Sequence, residues 1–316
     1  MLHNSEPPLT GGSQSQPNEA FQGAAQTAVE YDFGRGQVLR YTPPETRLDD
    51  VTGEPVIPLL YFQGVNGDDS LPHVMEALGE RDKRPVVGIR YTGKLQLTAK
   101  PIPPTHEDYD EKSVIPEIEI EHTDDALAAL DFLGVEKSDA LASSKGGLPM
   151  LLAARKRPDA IRNAYADDIA GINNRSPRQT YIDALRLAGH RKVQKILGRS
   201  AVQPIVGSIP RSQRSPRSLR DLRIEQKSVA AANLRNVLLE VGANTNVQIR
   251  IGSDKGDRGF RTEDVRESLK QNGADRYVQL VENDKGGHGI GTNSLAIDNA
   301  LKQLREMERT PARSKK

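Results

Sequence analysis

The sequence predicts an α/β protein: a mostly parallel central sheet with helices on both faces, and a mainly helical cap inserted between two strands. Two observations predict this. Short apolar runs rich in Val, Ile and Leu alternate with stretches of helical periodicity from about residue 56 to residue 307, and strands separated by helix-length segments favour parallel pairing under crossover helices. One basic stretch broken by Pro and Ser, residues 175–227, interrupts the alternation.

Taken in order, residues 1–30 are rich in Ser, Gln, Pro and Gly and are expected to be disordered, since they bury too little apolar surface to offset their ordering entropy. The first part of the core spans residues 31–174. Within it Val56–Phe62 reads as a strand ending in Gln63-Gly64, Pro72–Gly79 as a helix and Pro85–Tyr91 as a second strand. The run Ile118–Glu121 is too short to assign. Thr123–Leu133 reads as a helix, with Thr123 as its cap, Asp124 and Asp125 at its positive end and Gly134 closing it. Ala140–Ala142 is a short strand that leads at once into a helix over Gly146–Arg157, whose apolar face carries Leu148, Leu151 and Leu152. Ile161–Ala166 is another strand. After the insertion, residues 228–308 complete the core, with strands at Val247–Ile251 and Tyr277–Val281 and a closing helix over Ser294–Met307. Residues 309–316 form a loose tail.

A chain of 316 residues accommodates two domains or a single α/β domain with an insertion. With 44 Lys and Arg against 43 Asp and Glu, the formal charge is +1, which excludes a wholly basic nucleic-acid binder. The absence of cysteine excludes a disulfide framework, an iron–sulfur cluster, a thiolate zinc site and a Cys nucleophile. No run approaches the roughly 18 apolar residues of a membrane span, and the N-terminus lacks the basic-then-apolar profile of a secretory signal. A soluble, cytoplasmic protein is therefore expected.

The sharpest chemical feature is Ala142-Ser143-Ser144-Lys145-Gly146-Gly147, lying between a short strand and an amphipathic helix. A nucleophile presented on so tight a turn needs small neighbours, and the pattern for it is G-x-S-x-G. Ser144 takes the nucleophile position, Gly146 the second glycine, and Ala142 stands in for the first. Gly147 is expected to let the helix pack closely on the sheet. A serine hydroxyl becomes a useful nucleophile when a neutral imidazole takes its proton and a carboxylate orients that imidazole. The glycine-flanked His288, in Lys285-Gly286-Gly287-His288-Gly289, is the candidate base. Asp257 and Asp254, in the segment after Val247–Ile251, are the candidate acids, with Asp257 preferred; Asp167 and Asp168 also follow a strand. The remaining histidines, His3, His73, His106, His122 and His190, read as ordinary tail, surface or cap residues. Lys145-Gly146-Gly147 lacks the following Gly-Lys-Ser/Thr of a phosphate-binding loop.

The order nucleophile, acid, histidine, each after its own strand, resembles the α/β-hydrolase superfamily over roughly Gln37 to Met307. The resemblance implies a carboxylesterase-like serine hydrolase without a cofactor or metal, acting on a small-molecule ester or acyl substrate. It also implies an oxyanion hole built from the Lys145 N–H and from the N–H of Val65, in the segment Gln63-Gly64-Val65-Asn66-Gly67-Asp68, where Gln63 occupies the place of the family's His. The insertion at 175–227 then corresponds to a lid that shapes the substrate pocket. It holds 13 Lys or Arg against 3 Asp or Glu. That excess fits either a solvated cap balanced by the acidic stretch Glu107–Asp125 or a surface for anionic partners such as nucleic acid or membrane. A non-catalytic interaction protein on the same scaffold is the alternative function.

Overall fold

The computed structural model describes residues 29–33, 36–64, 71–90, 98–172, 219–244, 247–254, 262–283 and 294–310. Eight strands form one sheet: β1 (Val29–Asp32), β2 (Gln37–Tyr41), β3 (Leu59–Phe62), β4 (Val86–Arg90), β5 (Ser138–Ser143), β6 (Ile161–Asp167), β7 (Gln248–Asp254) and β8 (Val278–Asn283). Their order is β1-β2-β4-β3-β5-β6-β7-β8. β2 pairs antiparallel with β1 and β4, and every pairing from β4 through β8 is parallel. The described helices are α1 (Leu71–Asp82), α2 (Glu117–Leu133), α3 (Gly147–Lys156), α4 (Leu219–Ala231), α5 (Arg235–Asn244), α6 (Thr262–Asn272) and α7 (Ser294–Arg309).

Side-chain alternation along the strands divides the core in two. Leu60, Phe62, Ala140, Ala142, Ala164, Ala166, Ile249 and Ile251 pack with α2, α3, α5 and α6. Leu59, Tyr61, Leu141 and Tyr165 face the other way, onto Leu71, Met75 and Leu78 of α1 and Ile297, Leu301 and Leu304 of α7. β3, whose sequence is LLYF, is buried at all its positions, which is why it reads as a continuous apolar run instead of an alternating one.

The predicted strands and helices from Val56 onward are present, with shifted ends. α1 runs on to Asp82, β5 widens to Ser138–Ser143, and a single 3₁₀ turn, Ser144–Gly146, precedes α3. At three places the structure adds to or alters what was expected. Val29 and Glu30, the last two residues of the segment expected to be disordered, belong to β1, paired with Arg40 and Leu39; residues 1–28 lie outside the described part. The run Ile118–Glu121 and the segment after it are one helix: α2 begins at Glu117 after Pro116. Thr123 is therefore not a cap but a buried mid-helix residue whose hydroxyl donates to the Glu119 carbonyl at 2.7 Å. Gly134 does close the helix, at φ 63°. α4 runs across residue 227 to Ala231; the rest of the expected insertion, up to residue 218, lies outside the described part.

The acidic stretch does not wait for the insertion. Lys156, at the end of α3, lies 2.7 Å from Asp108 and 2.8 Å from Asp124. At the amino edge of the sheet, the fully buried Arg84 pairs with Asp139 at 2.9 Å and also with Asp82 and Glu308. Arg162 joins the network through Asp139 at 2.8 Å and Asp49 at 3.1 Å. These charges lock the starts of β4, β5 and β6 to the end of α7 and leave the carboxyl edge to the candidate site.

Candidate active site

β5 ends in extended backbone at Ser143 (φ −123°). The next residue, Ser144, has φ +52°. A residue with a Cβ adopts this left-handed conformation at a cost of about 1–3 kcal/mol, and such strain concentrates at functional positions. The turn is held from several sides. The Ser144 carbonyl accepts from the Ala170 N–H at 3.3 Å. A Cβ placed on Gly146 would lie 2.2 Å from the Phe62 carbonyl oxygen and 2.7 Å from that of Gln63, so only glycine lets the turn press against the end of β3. A Cβ on Gly147 would lie 2.3 Å from Cγ1 of Ile169; the close approach that this glycine permits is thus to the segment after β6. Ala142, in place of the motif's first glycine, sits buried in β5 with Phe62 and Ala166 as its register partners.

The segment after β3 begins against this turn. A Cβ on Gly64 would stand 3.2 Å from the Ser143 carbonyl oxygen and 3.4 Å from Ser144 Cβ. Gln63 is buried and its Nε2 donates to the Ile89 carbonyl at 3.2 Å, tying the same segment to β4. Val65, the expected second oxyanion donor, lies outside the described residues, as do Asp257 and His288. Asp254 is the last residue of β7, in register with Asn283 at the end of β8. Asp257 follows it in sequence, and His288 follows β8. Because β5, β7 and β8 are parallel members of one sheet, Ser144 and the segments carrying both other candidates leave from the same edge.

The two reserve acids occupy different settings. Asp167 accepts from the Tyr165 hydroxyl at 3.4 Å. Burial, together with the Asp167 charge, pushes the Tyr61 phenol above its ordinary range. Asp168 is buried, has φ +50°, and its N–H donates to the Gly252 carbonyl at 3.0 Å. A second strained residue thus lies next to the strand that bears Ser144.

A polar cluster that the sequence reading missed lies beneath the turn. The Lys145 side chain is buried, with Nζ 3.1 Å from His122 Nδ1, 3.4 Å from Glu225 Oε1 and 3.7 Å from Glu119 Oε1. Ser228 donates to Glu119. His122, expected to be an ordinary surface or cap residue, is 3% exposed. Burial and the adjacent Lys145 ammonium depress its pKa, against the opposing pull of Glu119 and Glu225. An ammonium has only donors, so His122 accepts at Nδ1 and is neutral with its proton on Nε2. Glu119 is held below its ordinary range: burial acts against this, but the Lys145 ammonium, with the Ser228 hydroxyl, outweighs it. The available sequence signal was the spacing of Glu119, His122 and Thr123, which puts polar groups on one side of an otherwise apolar helix.

No protein-family model matches the sequence, and no curated protein matches it. Solved structures do match its fold. An E-2-(acetamidomethylene)succinate hydrolase aligns with a TM-score of 0.59 at 15% identity, over 90% of this chain and 100% of the other. The 2-hydroxy-6-oxo-6-phenylhexa-2,4-dienoate hydrolase from Rhodococcus sp. strain RHA1 aligns with a TM-score of 0.57 at 16% identity, over 89% and 98%. An α/β-hydrolase fold protein from Chitinophaga pinensis aligns with a TM-score of 0.52 at 15% identity, over 89% and 97%. Together with the strand order, these matches show that the chain has the α/β-hydrolase fold.

Proposed function

We propose that this chain, with its α/β-hydrolase fold, is a serine hydrolase that cleaves an ester or a related acyl bond of a small molecule through an acyl-Ser144 intermediate. The observation that carries the reading is the left-handed Ser144 at the strand-to-helix turn, wedged in place by the close approach of Gly146 to Phe62. A backbone held there at a cost in strain suits a side chain that must project above the sheet edge. That structures of the same fold include enzymes described as hydrolases is consistent with it.

In this reading His288 takes the Ser144 proton as the hydroxyl attacks the acyl carbon, then returns it to the leaving group. Asp257, or Asp254 in its place, orients the imidazole and stabilises the imidazolium. The N–H groups of Lys145 and Val65 receive the oxyanion of the tetrahedral intermediate; loss of one such donor typically costs about 3–4 kcal/mol of transition-state stabilisation. Water then repeats the sequence on the acyl-enzyme. The insertion at 175–227, expected to be a lid, is the part of the chain to which this reading assigns the choice of acyl size. The chemistry requires no cofactor.

Incubation with a fluorophosphonate probe tests the proposal. Wild type is expected to be labelled, with the adduct on Ser144, and Ser144→Ala to be unlabelled. A folded wild type that stays unlabelled overturns the hydrolase reading in favour of a non-catalytic protein on this scaffold.

A further inference from the structure

Lys145 is an unexpected residue to find buried beside a nucleophile. Its ammonium leaves water, which is tolerated only when charge and hydrogen bonding are restored. The restoring groups come from two helices. Glu119 and His122 stand one turn apart on α2, and Glu225 and Ser228 stand one turn apart on α4. The lysine therefore ties the turn that carries Ser144 to both helices at once, through hydrogen bonds to His122 at 3.1 Å and Glu225 at 3.4 Å and an ion pair with Glu119 at 3.7 Å.

α2 and α4 are not equivalent anchors. α2 packs along the main core, where Ile118, Ala126, Ala129 and Leu130 are fully or almost fully buried. α4 is the helix by which the chain returns from the 173–218 segment. Its far end is fastened to the core: the Leu234 N–H donates to the Gly171 carbonyl at 2.8 Å, and Asn233 and Val114 exchange backbone hydrogen bonds at 2.9 Å. From its middle turn, Glu225 reaches the cluster and is 3% exposed. A swing of α4 about its fastened end would withdraw Glu225 and Ser228 and leave Lys145 with α2 alone.

We propose that Lys145 is a positioning residue whose ammonium, clamped between Glu119 and His122 of α2 and Glu225 of α4, makes the placement of its own backbone N–H depend on the seating of α4. The inference rests on the reading of Ser144 as nucleophile and of the Lys145 N–H as oxyanion donor. The side chain touches no reacting atom. It acts through the peptide unit to which it is attached, where a displacement of about 1 Å is enough to weaken catalysis by about a hundredfold. Seating of the returning helix and completion of the oxyanion hole then become one event.

Glu225→Gln is the mild variant: it keeps the shape and an acceptor oxygen but removes the charge that faces the ammonium. Lys145→Met is the severe one, and it leaves two buried carboxylates without their counter-charge. Both are compared with wild type for hydrolysis of p-nitrophenyl acetate and for the second-order rate of fluorophosphonate labelling, each corrected for the folded fraction by circular dichroism. Folded Glu225→Gln is expected to lose about tenfold in kcat with KM within about twofold of wild type. Its labelling is expected to slow in parallel, and Lys145→Arg to recover activity relative to Lys145→Met. A role in stability alone would lower the melting temperature and leave kcat of the folded enzyme unchanged. Full kcat and full labelling rate in folded Glu225→Gln, with wild type labelled, overturn the positioning role and leave the hydrolase reading standing. An unlabelled, inactive wild type overturns the hydrolase reading, and the positioning role with it.

Discussion

Gly146 and Phe62 meet so closely that a single methyl group on the glycine would fall 2.2 Å from the Phe62 carbonyl oxygen. The obstacle is backbone, not a side chain that can rotate away. The end of β3 and the turn after β5 are therefore one packed unit, and the left-handed Ser144 sits inside it.

Gly146→Ala is expected to destabilise the fold by roughly 3 kcal/mol, the upper end of the usual cost of overpacking, and to suppress fluorophosphonate labelling of the molecules that still fold. Urea unfolding and a labelling time course measure the two effects. Wild-type stability with full labelling would show that β3 and the turn are free to separate.

The amino edge makes a different prediction. Arg84 is fully buried among Asp82, Asp139 and Glu308. Arg84→Met leaves three carboxylates around a missing cation and should cost about 3–5 kcal/mol, while Ser144 labelling of the folded protein is retained because the network lies at the opposite end of the strands. The same edge sets acid stability. Asp49 is held at about 2: burial works against this, but the amides of Val51 and Thr52 and the Arg162 side chain outweigh it. Asp139 is likewise held below its ordinary range despite its burial, by Arg162 and Arg84. Such carboxylates bind protons more readily in the unfolded chain, so their contribution is present above about pH 4 and fades as pH falls toward about 2. Urea midpoints between pH 5 and pH 2 should fall less steeply for Asp49→Asn than for wild type; identical slopes would contradict the assignment.

His122 titrates in the opposite chemical sense with the same sign of effect. Its folded pKa is depressed from 6.5 by burial and by Lys145, so the unfolded chain takes up the proton first. Stability from this residue is present above about pH 6.5 and declines as pH falls below it. His122→Gln supplies an oxygen acceptor for Lys145 but no titration, and should flatten the stability profile between about pH 5 and 7. Nitrogen-15 chemical shifts at pH 7 should show Nδ1 unprotonated and Nε2 carrying the proton. A protonated Nδ1 would remove the hydrogen bond from Lys145 on which the cluster is built.

The motif around Ser144 was legible because a tight strand-to-helix turn restricts its own local sequence: Gly146 and Gly147 declare close approach wherever they meet something. The sequence could not say that Phe62 and Ile169 were what they meet. β1 and β2 were not legible either. Their residues mix charged and apolar side chains over only four or five positions, too few for a period to emerge, and they become strands by pairing onto β4. Thr123 was read as a cap from its chemistry, but the helix starts six residues earlier, at Glu117 after the extended Pro116, and the Thr123 hydroxyl turns back to Glu119.

From the sequence alone came the alternation of strands and helices, the closing glycine of α2 and the position of the strand-to-helix turn, because each depends on neighbours a few residues away in the chain. Tertiary structure alone decided the strand order, the charge network around Arg84 and the burial of His122 beside Lys145. Those depend on side chains far apart in sequence, whose meeting is set by the packing of the sheet and its helices, and a buried charge finds its partner only once that packing exists.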